Sequence, residues 1–538
     1  MPKIEINTFK GMIPKVSRKL ISNENADYAV NCLLDAGKLE ALNNTSAVAA
    51  TLAAGHVKGL FLYQKTHWFS WNSAVKAIES PIAQDQYARI YYTGDGVPKV
   101  TSNLIATSSS PKPAASYTLG VPAPLTALTA AQTHSGSGTP GDVSDDELRV
   151  YVMTFVTGYG EEGAPGPVST PLNCESPDAQ VTLTLPTLAS NPNNVTHKRI
   201  YRSATGANGT DFYFVAQVTL ATTNYVDTKL TESLGTLIDT WDFLPPPAQL
   251  QGLTAMANGI TVGFAGNELF FSPAYLPYAF PAAYRRTTQH KIVGVSATQN
   301  AIVVATEGYP YVFSGISPDA MSDNKIEEMQ ACVSARSMID MGNYVIYASP
   351  DGLVAASEGG AQLVTKDLLN KRTWEAYKPA TIHAYLYEKK YIAFYGDTNG
   401  NGVGTGGFMF DPDSGEFTLI DVYATAGFTD LLTDTLYLVV GGQLQAWLGA
   451  VTKKTFVWRS KPFTLPFIAF NCCKVECNTI AAVGMKLWVD GVEIFNYASL
   501  PADVFRLPEN AIGKEWQFEF QGTGEIDRVV ISTSMRDL

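Results

Sequence analysis

Cysteine and histidine are both scarce in this 538-residue chain, six of each, and that scarcity removes several function classes at once. Six cysteines are too few to staple a chain of this length, which fits synthesis in a reducing cytoplasm better than an extracellular disulfide scaffold. The histidines, His56, His67, His134, His197, His290 and His383, form no H-x-H, no H-E-x-x-H and no pair on one helical turn. They read as surface or core residues rather than as metal ligands or general bases. No G-x-S-x-G occurs either, so a hydrolase built on a nucleophile elbow has no support.

Charge is sparse as well. Only 16% of residues are charged, and 38 basic against 50 acidic side chains leave a net charge of -12 with no Lys/Arg cluster at either end. That balance argues against sequence-reading DNA binding. No apolar run approaches the roughly 18 residues a membrane span needs, and the first twenty residues carry no apolar signal core. The expectation is a soluble protein without an export signal.

What the chain has in quantity is strand and turn material. Hydrophobic residues make up 46% and aromatics 11%, with 44 Gly and 30 Pro, a composition that suits short strands and tight turns. The expected class is all-β, spread over roughly three or four domains of about 150 residues each.

A repeat organises the middle of the chain. Hairpin blocks begin at Ile260 (ITVGFAGNELFFS), Ile302 (IVVATEGYPYVFS), Tyr344 (YVIYASPDGLVAAS), Tyr391 (YIAFYGD) and Leu436 (LYLVVGGQLQAWL), in steps of 42, 42, 47 and 45 residues. That period matches the four-stranded blade of a β-propeller. Turns such as Gly266-Asn267 and Asp351-Gly352 split each block into two strands. A block of the same texture, Leu60 to Ile78, lies far upstream, so something is inserted between. Residues 122–247 hold strand-like runs (LRVYVMTFVT, VTLTLP, HKRIYRS, FYFVAQV, NYVDT) whose number suits an immunoglobulin-like sandwich. Pro245, Pro246 and Pro247 close it as a stiff linker.

The predicted organisation is therefore a β-propeller of about six blades, formed by residues 57–121 and 248–452 and interrupted by an immunoglobulin or fibronectin-like sandwich at 122–247. An N-terminal segment, 1–56, carries a short helix over Asn23–Leu33, and residues 453–538 form a C-terminal β-sandwich. Because the ends of such an insert can lie close together, deleting 122–244 is expected to leave the propeller folded.

Candidate sites are few. Cys472, Cys473 and Cys477 cluster in NCCKVECN, but zinc needs a second ligand pair and none follows. Alternation of Cys473, Val475 and Cys477 on one strand face makes them core residues. Asp397-Thr-Asn399-Gly-Asn401-Gly402 matches the first half of a calcium loop, yet its twelfth position is Phe408 instead of Glu, so a Gly/Asn-rich hairpin connection is the better reading. The pairs Asp145-Asp146, Glu161-Glu162 and Glu327-Glu328 point to opposite strand faces and read as solvated edges, with a glycosidase pair assembled across blades left open. No catalytic residue, cofactor-binding residue or metal ligand is assigned.

Several strings carry a family resemblance. The opening FKGMIPKVSRKLISNENADYAVNCLLDAGKLEAL resembles the start of many phage tail proteins. YVMTFVTGYGEEGAPGPVS, KRIYRSATG and DFYFVAQV are similar to their inserted sandwich, and ELFFSPAYLPYAFP, IVVATEGYPYVFSG, YASPDGLVAASEGG and FRLPENAIGKEWQFEFQG to their propeller and terminal domains. Within that group the chain resembles the tail nozzle, or tail tubular protein B, family of short-tailed bacteriophages. The resemblance spans nearly the whole chain and rests on residues that determine fold rather than on a catalytic motif.

It implies a virion protein made in the host cytoplasm: a homohexameric ring below the portal and its adaptor, conducting genomic DNA without reading it and anchoring fibres or spikes. The -12 charge either keeps such a wall from gripping phosphates or is ordinary solubility charge. The Pro- and aromatic-rich stretch Ser272 to Arg286 is expected to serve as interface material or as an inter-blade loop on its own propeller. A receptor-facing hub or fibre-attachment protein and a carbohydrate-active propeller enzyme are the alternatives.

Overall fold

The computed structural model describes residues 3–139, 141–206, 209–299, 301–396, 404–509 and 511–538. The calcium-like stretch Asp397–Gly402 lies outside the described residues.

The chain is all-β, with one short α-helix, Lys371–Ala376, among the described residues. Its centre is a β-propeller. Five consecutive blades of four strands begin at Gln251, Ile292, Ile339, His383 and Ala426; the fourth continues from Phe417–Ile420 through Asn25–Val30 into an eleven-stranded sheet, and the last takes its fourth strand, Ser46–Ala47, from the N-terminal segment. A sixth four-stranded sheet spans Lys76–Thr118, and a two-stranded sheet, Gly59–Tyr63 with His67–Trp71, stands between it and the Ala426 sheet. Six blades thus have four strands, and the hairpin is a seventh radial element. Its aromatic faces complete the ring: Phe61, Tyr63, Phe69 and Trp71 pack with Ile90 and Tyr92 on one side, while Leu60, Leu62 and Trp68 pack with Ala426 and Val439 on the other. The 42 to 47 residue period arises because each sheet is a hairpin meander. Its turns are tight, as at Gly266, whose φ of 64° is one that a side-chain-bearing residue rarely adopts.

The insert forms two three-stranded sheets, Thr129–His134, Gln180–Thr184 and Asn224–Asp227 against Tyr151–Thr157, Val195–Gly206 and Gly209–Thr219, with a short pair at Glu147–Arg149 and Leu172–Cys174. Its two ends meet. A Cβ on Gly120 would fall 2.6 Å from the Pro245 side chain, and Asn193 Nδ2 donates to the carbonyls of Thr118 (3.1 Å) and Gly120 (2.9 Å). Much of the stretch Ser272 to Arg286 packs inward: Tyr278, Ala279 and Phe280 are buried where the insert meets the propeller, while Tyr275 and Arg285 are exposed.

The C-terminal sandwich is completed by the N-terminus. One sheet runs Lys3–Ile6, Ile526–Ser532, Cys472–Cys477, Val504–Arg506; the other runs Asn25–Val30, Phe456–Ser460, Ile512–Gly522, Val483–Val489, Val492–Tyr497. The helix expected over Asn23–Leu33 is instead two strands, Asn25–Val30 and Cys32–Leu33, broken at Asn31 with φ 55°. The sequence NADYAV has weak helix formers, and Ala29 and Val30 pair with Trp458 and Val457, so the ladder with a distant strand overrides any local preference. Cys473 and Val475 are fully buried between the sheets, Cys477 only partly. The core is continuous from Trp458, Trp516 and Phe518 to Trp374, Tyr391 and Phe408 of the propeller.

Candidate functional site

Two places concentrate unusual chemistry. The first is the propeller channel. Innermost strands of all seven radial elements converge on a cavity of about 370 Å³, whose wall includes Gly59 to Phe61, Lys76, Gln251, Val293 to Val295, Met338, Tyr385 and Phe428. Its floor of Gly, Ala and aromatic side chains follows from strand crowding at the axis, where only small residues or ring edges fit. The charged members are Lys58, Lys76 and Arg336. Arg336 sits on the short 3-10 turn Ala335–Ser337 and donates from Nη2 to the Thr425 carbonyl (2.7 Å) and, at the limit of hydrogen-bond range, to the Tyr385 hydroxyl (3.4 Å). Lys76 is exposed in the channel; desolvation by the surrounding wall lowers its pKa and the Arg336 charge lowers it further.

The second place is a buried charge seam in and under the insert. Arg89, 6% exposed, donates to Asp85 from Nε and to Glu161 from Nη1, each at 2.7 Å. The Tyr159 ring lies under its guanidinium, 5.3 Å from centroid to Cζ. Glu162 accepts from Arg199, Tyr201 and Thr154. Arg202 and Asp227, both fully buried, form a 2.8 Å pair to which the Tyr151 hydroxyl donates. The solvated-edge reading of Glu161-Glu162 is therefore corrected: both are buried, because each strand face meets an arginine from a different element. Asp145, Glu327 and Glu328 are exposed and Asp146 is half-buried.

Burial outweighs the attraction of Arg89, which is shared with Asp85, and pushes the Glu161 carboxyl up to about 7. The sign follows from linkage. Unfolded, the group titrates near 4.5; folded, it keeps its proton to about 7, so a destabilising contribution grows between those values and is fully present above them. It amounts to about 3 kcal/mol for a shift of this size. Glu161→Gln, which keeps an acceptor for Arg89, should therefore stabilise the protein relative to wild type at pH 8 and not at pH 4. Urea midpoints at the two pH values check this; equal differences at both would contradict it.

Of the histidines, His56 lies near enough to His383 to act on its charge. His383 is buried, with burial holding its pKa well below the usual range, while His67 stacks edge-on to Phe69 and His134 accepts from the Gly136 amide. Among the described residues no three His, Cys, Asp or Glu side chains are grouped to hold a metal ion. All six cysteines are free thiols. Glu161 and Glu162 lie outside the channel wall. Sequence reasoning missed Lys58, Lys76 and Arg336 because they are far apart in the chain. The repeat read from the sequence opens at the second strand of each blade, one strand after those that line the channel.

No protein-family model matches the chain, and no curated protein matches it. Among solved structures it is similar to Hsv2 of Kluyvelomyces marxianus (8% identity, 52% of this chain and 85% of that one, TM-score 0.25). It is also similar to the N-terminal domain of Nup159 (8%, 61% and 86%, 0.26) and to BamB of Moraxella catarrhalis (10%, 55% and 90%, 0.23). At these scores the likenesses carry no argument about function.

Proposed function

We propose that this protein is a structural subunit of a short bacteriophage tail, a nozzle that closes into a ring of six around the DNA path. The observation that carries the reading is the resemblance to tail nozzle proteins along nearly the whole chain, in strings that fall in the N-terminal strands, the insert, the blades and the terminal sandwich.

The cavity's dimensions support a DNA path outside the propeller. A cavity of about 370 Å³ is the size of a small-ligand pocket, whereas a duplex has a major groove about 12 Å wide on its own. The conduit is therefore formed between copies, not through a propeller, and head-to-tail lateral contacts that close on themselves produce it. Adaptor proteins above and fibres or spikes at the side complete the assembly. The protein performs no chemistry in this role, and its interlocked termini suit a part that bears load.

An antibody raised against the recombinant protein should decorate the tails of virions whose genome encodes it. Decoration of the capsid, or recovery only in the non-virion fraction of a lysate, would contradict the proposal.

A further inference from the structure

The channel wall carries three cations, Lys58, Lys76 and Arg336, and no carboxylate. In a chain with 38 basic and 50 acidic side chains this reverses the average surface. Among the described residues, Arg336 is the one charge that acts on Lys76, and it repels. Arg336 spends a single nitrogen, Nη2, on protein acceptors, leaving Nε and Nη1 without one among the described residues. Two cations lining one cavity repel each other unless an anion joins them.

We propose that the propeller channel binds a phosphate monoester, its dianionic head between Lys76 and Arg336 and its organic body against Phe264 and Phe428. Each part of the assignment has its own reason. Two positive charges in one cavity wall match a dianion better than a monoanion, and phosphate monoesters carry a charge of about -1.5 to -2 near neutrality. A guanidinium with free donors suits an oxyanion's paired oxygens. The volume, about 370 Å³, falls in the range that takes a small organic ligand. Phe61, Phe264 and Phe428 supply the apolar wall such pockets have. The inference stands apart from the tail reading, since it needs only the propeller.

Calorimetric titration of the full chain with phenyl phosphate tests it. Saturable binding near one per chain is expected, weakened about tenfold or more by Lys76→Met, as loss of a charged hydrogen bond implies. Benzoate, a monoanion of similar shape, should bind about tenfold more weakly than phenyl phosphate. The Lys76 side chain makes no hydrogen bond or ion pair among the described residues, and its substitution keeps the strand pairing with Thr93, so Lys76→Met should melt no lower than wild type. Absence of saturable binding, unchanged binding by the variant, equal binding of benzoate, or tighter binding of succinate would each overturn the assignment. Should the variant fail to fold, wild-type crystals soaked in phenyl phosphate serve instead: density for the phosphate at Lys76 and Arg336 supports the site, and its absence there overturns it.

Discussion

Arg202→Met should lower the unfolding free energy of the insert by about 3 to 5 kcal/mol, the usual cost of leaving a buried charge without its partner. Arg202 and Asp227 are both fully buried, 2.8 Å apart. Arg202 also donates to the Lys229 carbonyl at 2.8 Å, and Asp227 accepts from Tyr151 (2.9 Å) and from the Lys229 amide (3.0 Å). Without Arg202, Asp227 keeps only those two neutral donors. The pair is not perfectly satisfied even in the wild type, since Arg202 Nε has no partner. That defect predicts the second half of the result. Replacing both charges, Arg202→Met with Asp227→Leu, should recover most of the loss, because the desolvation of two ions disappears together with their attraction. The orphaned Tyr151 hydroxyl keeps about 1 to 3 kcal/mol of the cost. Denaturant midpoints of the two single variants and the double variant, read as a cycle, check this. A double variant as unstable as the sum of the singles would contradict it.

Deletion of residues 122–244 should have a larger effect than the independence of an inserted domain suggests. The ends do meet, at Gly120 and Pro245, so the chain can be rejoined without distortion. The core, however, does not stop at that boundary. Tyr91, Val100, Leu253, Phe270 and Phe280 of the propeller share one buried cluster with Leu128, Tyr151, Phe155 and Val215 of the insert. Exposing large apolar side chains costs about 1.5 to 3 kcal/mol each, so uncovering several approaches the whole stability of a domain, about 5 to 15 kcal/mol. The expected outcome is loss of cooperative melting in the Lys76–Thr118 and Gln251–Thr287 blades, read by circular dichroism and hydrogen exchange. A variant that melts within a few degrees of wild type would show instead that the insert is a passenger.

How much of this was legible in the sequence depends on how far each element's partners lie from it. The hairpins near Ile260, Ile302, Tyr344, Tyr391 and Leu436, the second and third strands of their blades, were readable because their pairing is local. The strand Asn25–Val30 was not, because its ladder partner Phe456–Ser460 lies near the other end of the chain. Its six residues alone state no strong preference. The same holds for the fourth strand of the last blade, Ser46–Ala47, too short to read as a strand by itself. Glu161 and Glu162 looked solvated because adjacent carboxylates usually are; the partners that bury them, Arg89 and Arg199, belong to a propeller blade and to another strand of the insert. Conversely, Cys473 and Val475 were correctly placed in a core because a period of two on a strand is a local property. The channel cations fall between these cases. Lys76 and Arg336 sit at the inner edge of two blades, a position the repeat phase encodes but no residue-level motif marks.

The central claim is the ring, and imaging an intact tail at subunit resolution tests it most directly. The proposed nozzle predicts six copies of this chain around the DNA axis, each with its own propeller, the conduit running between them rather than through any channel lined by Lys76 and Arg336. Three copies, or a position away from that axis, would contradict the account and assign the protein to the receptor-facing apparatus.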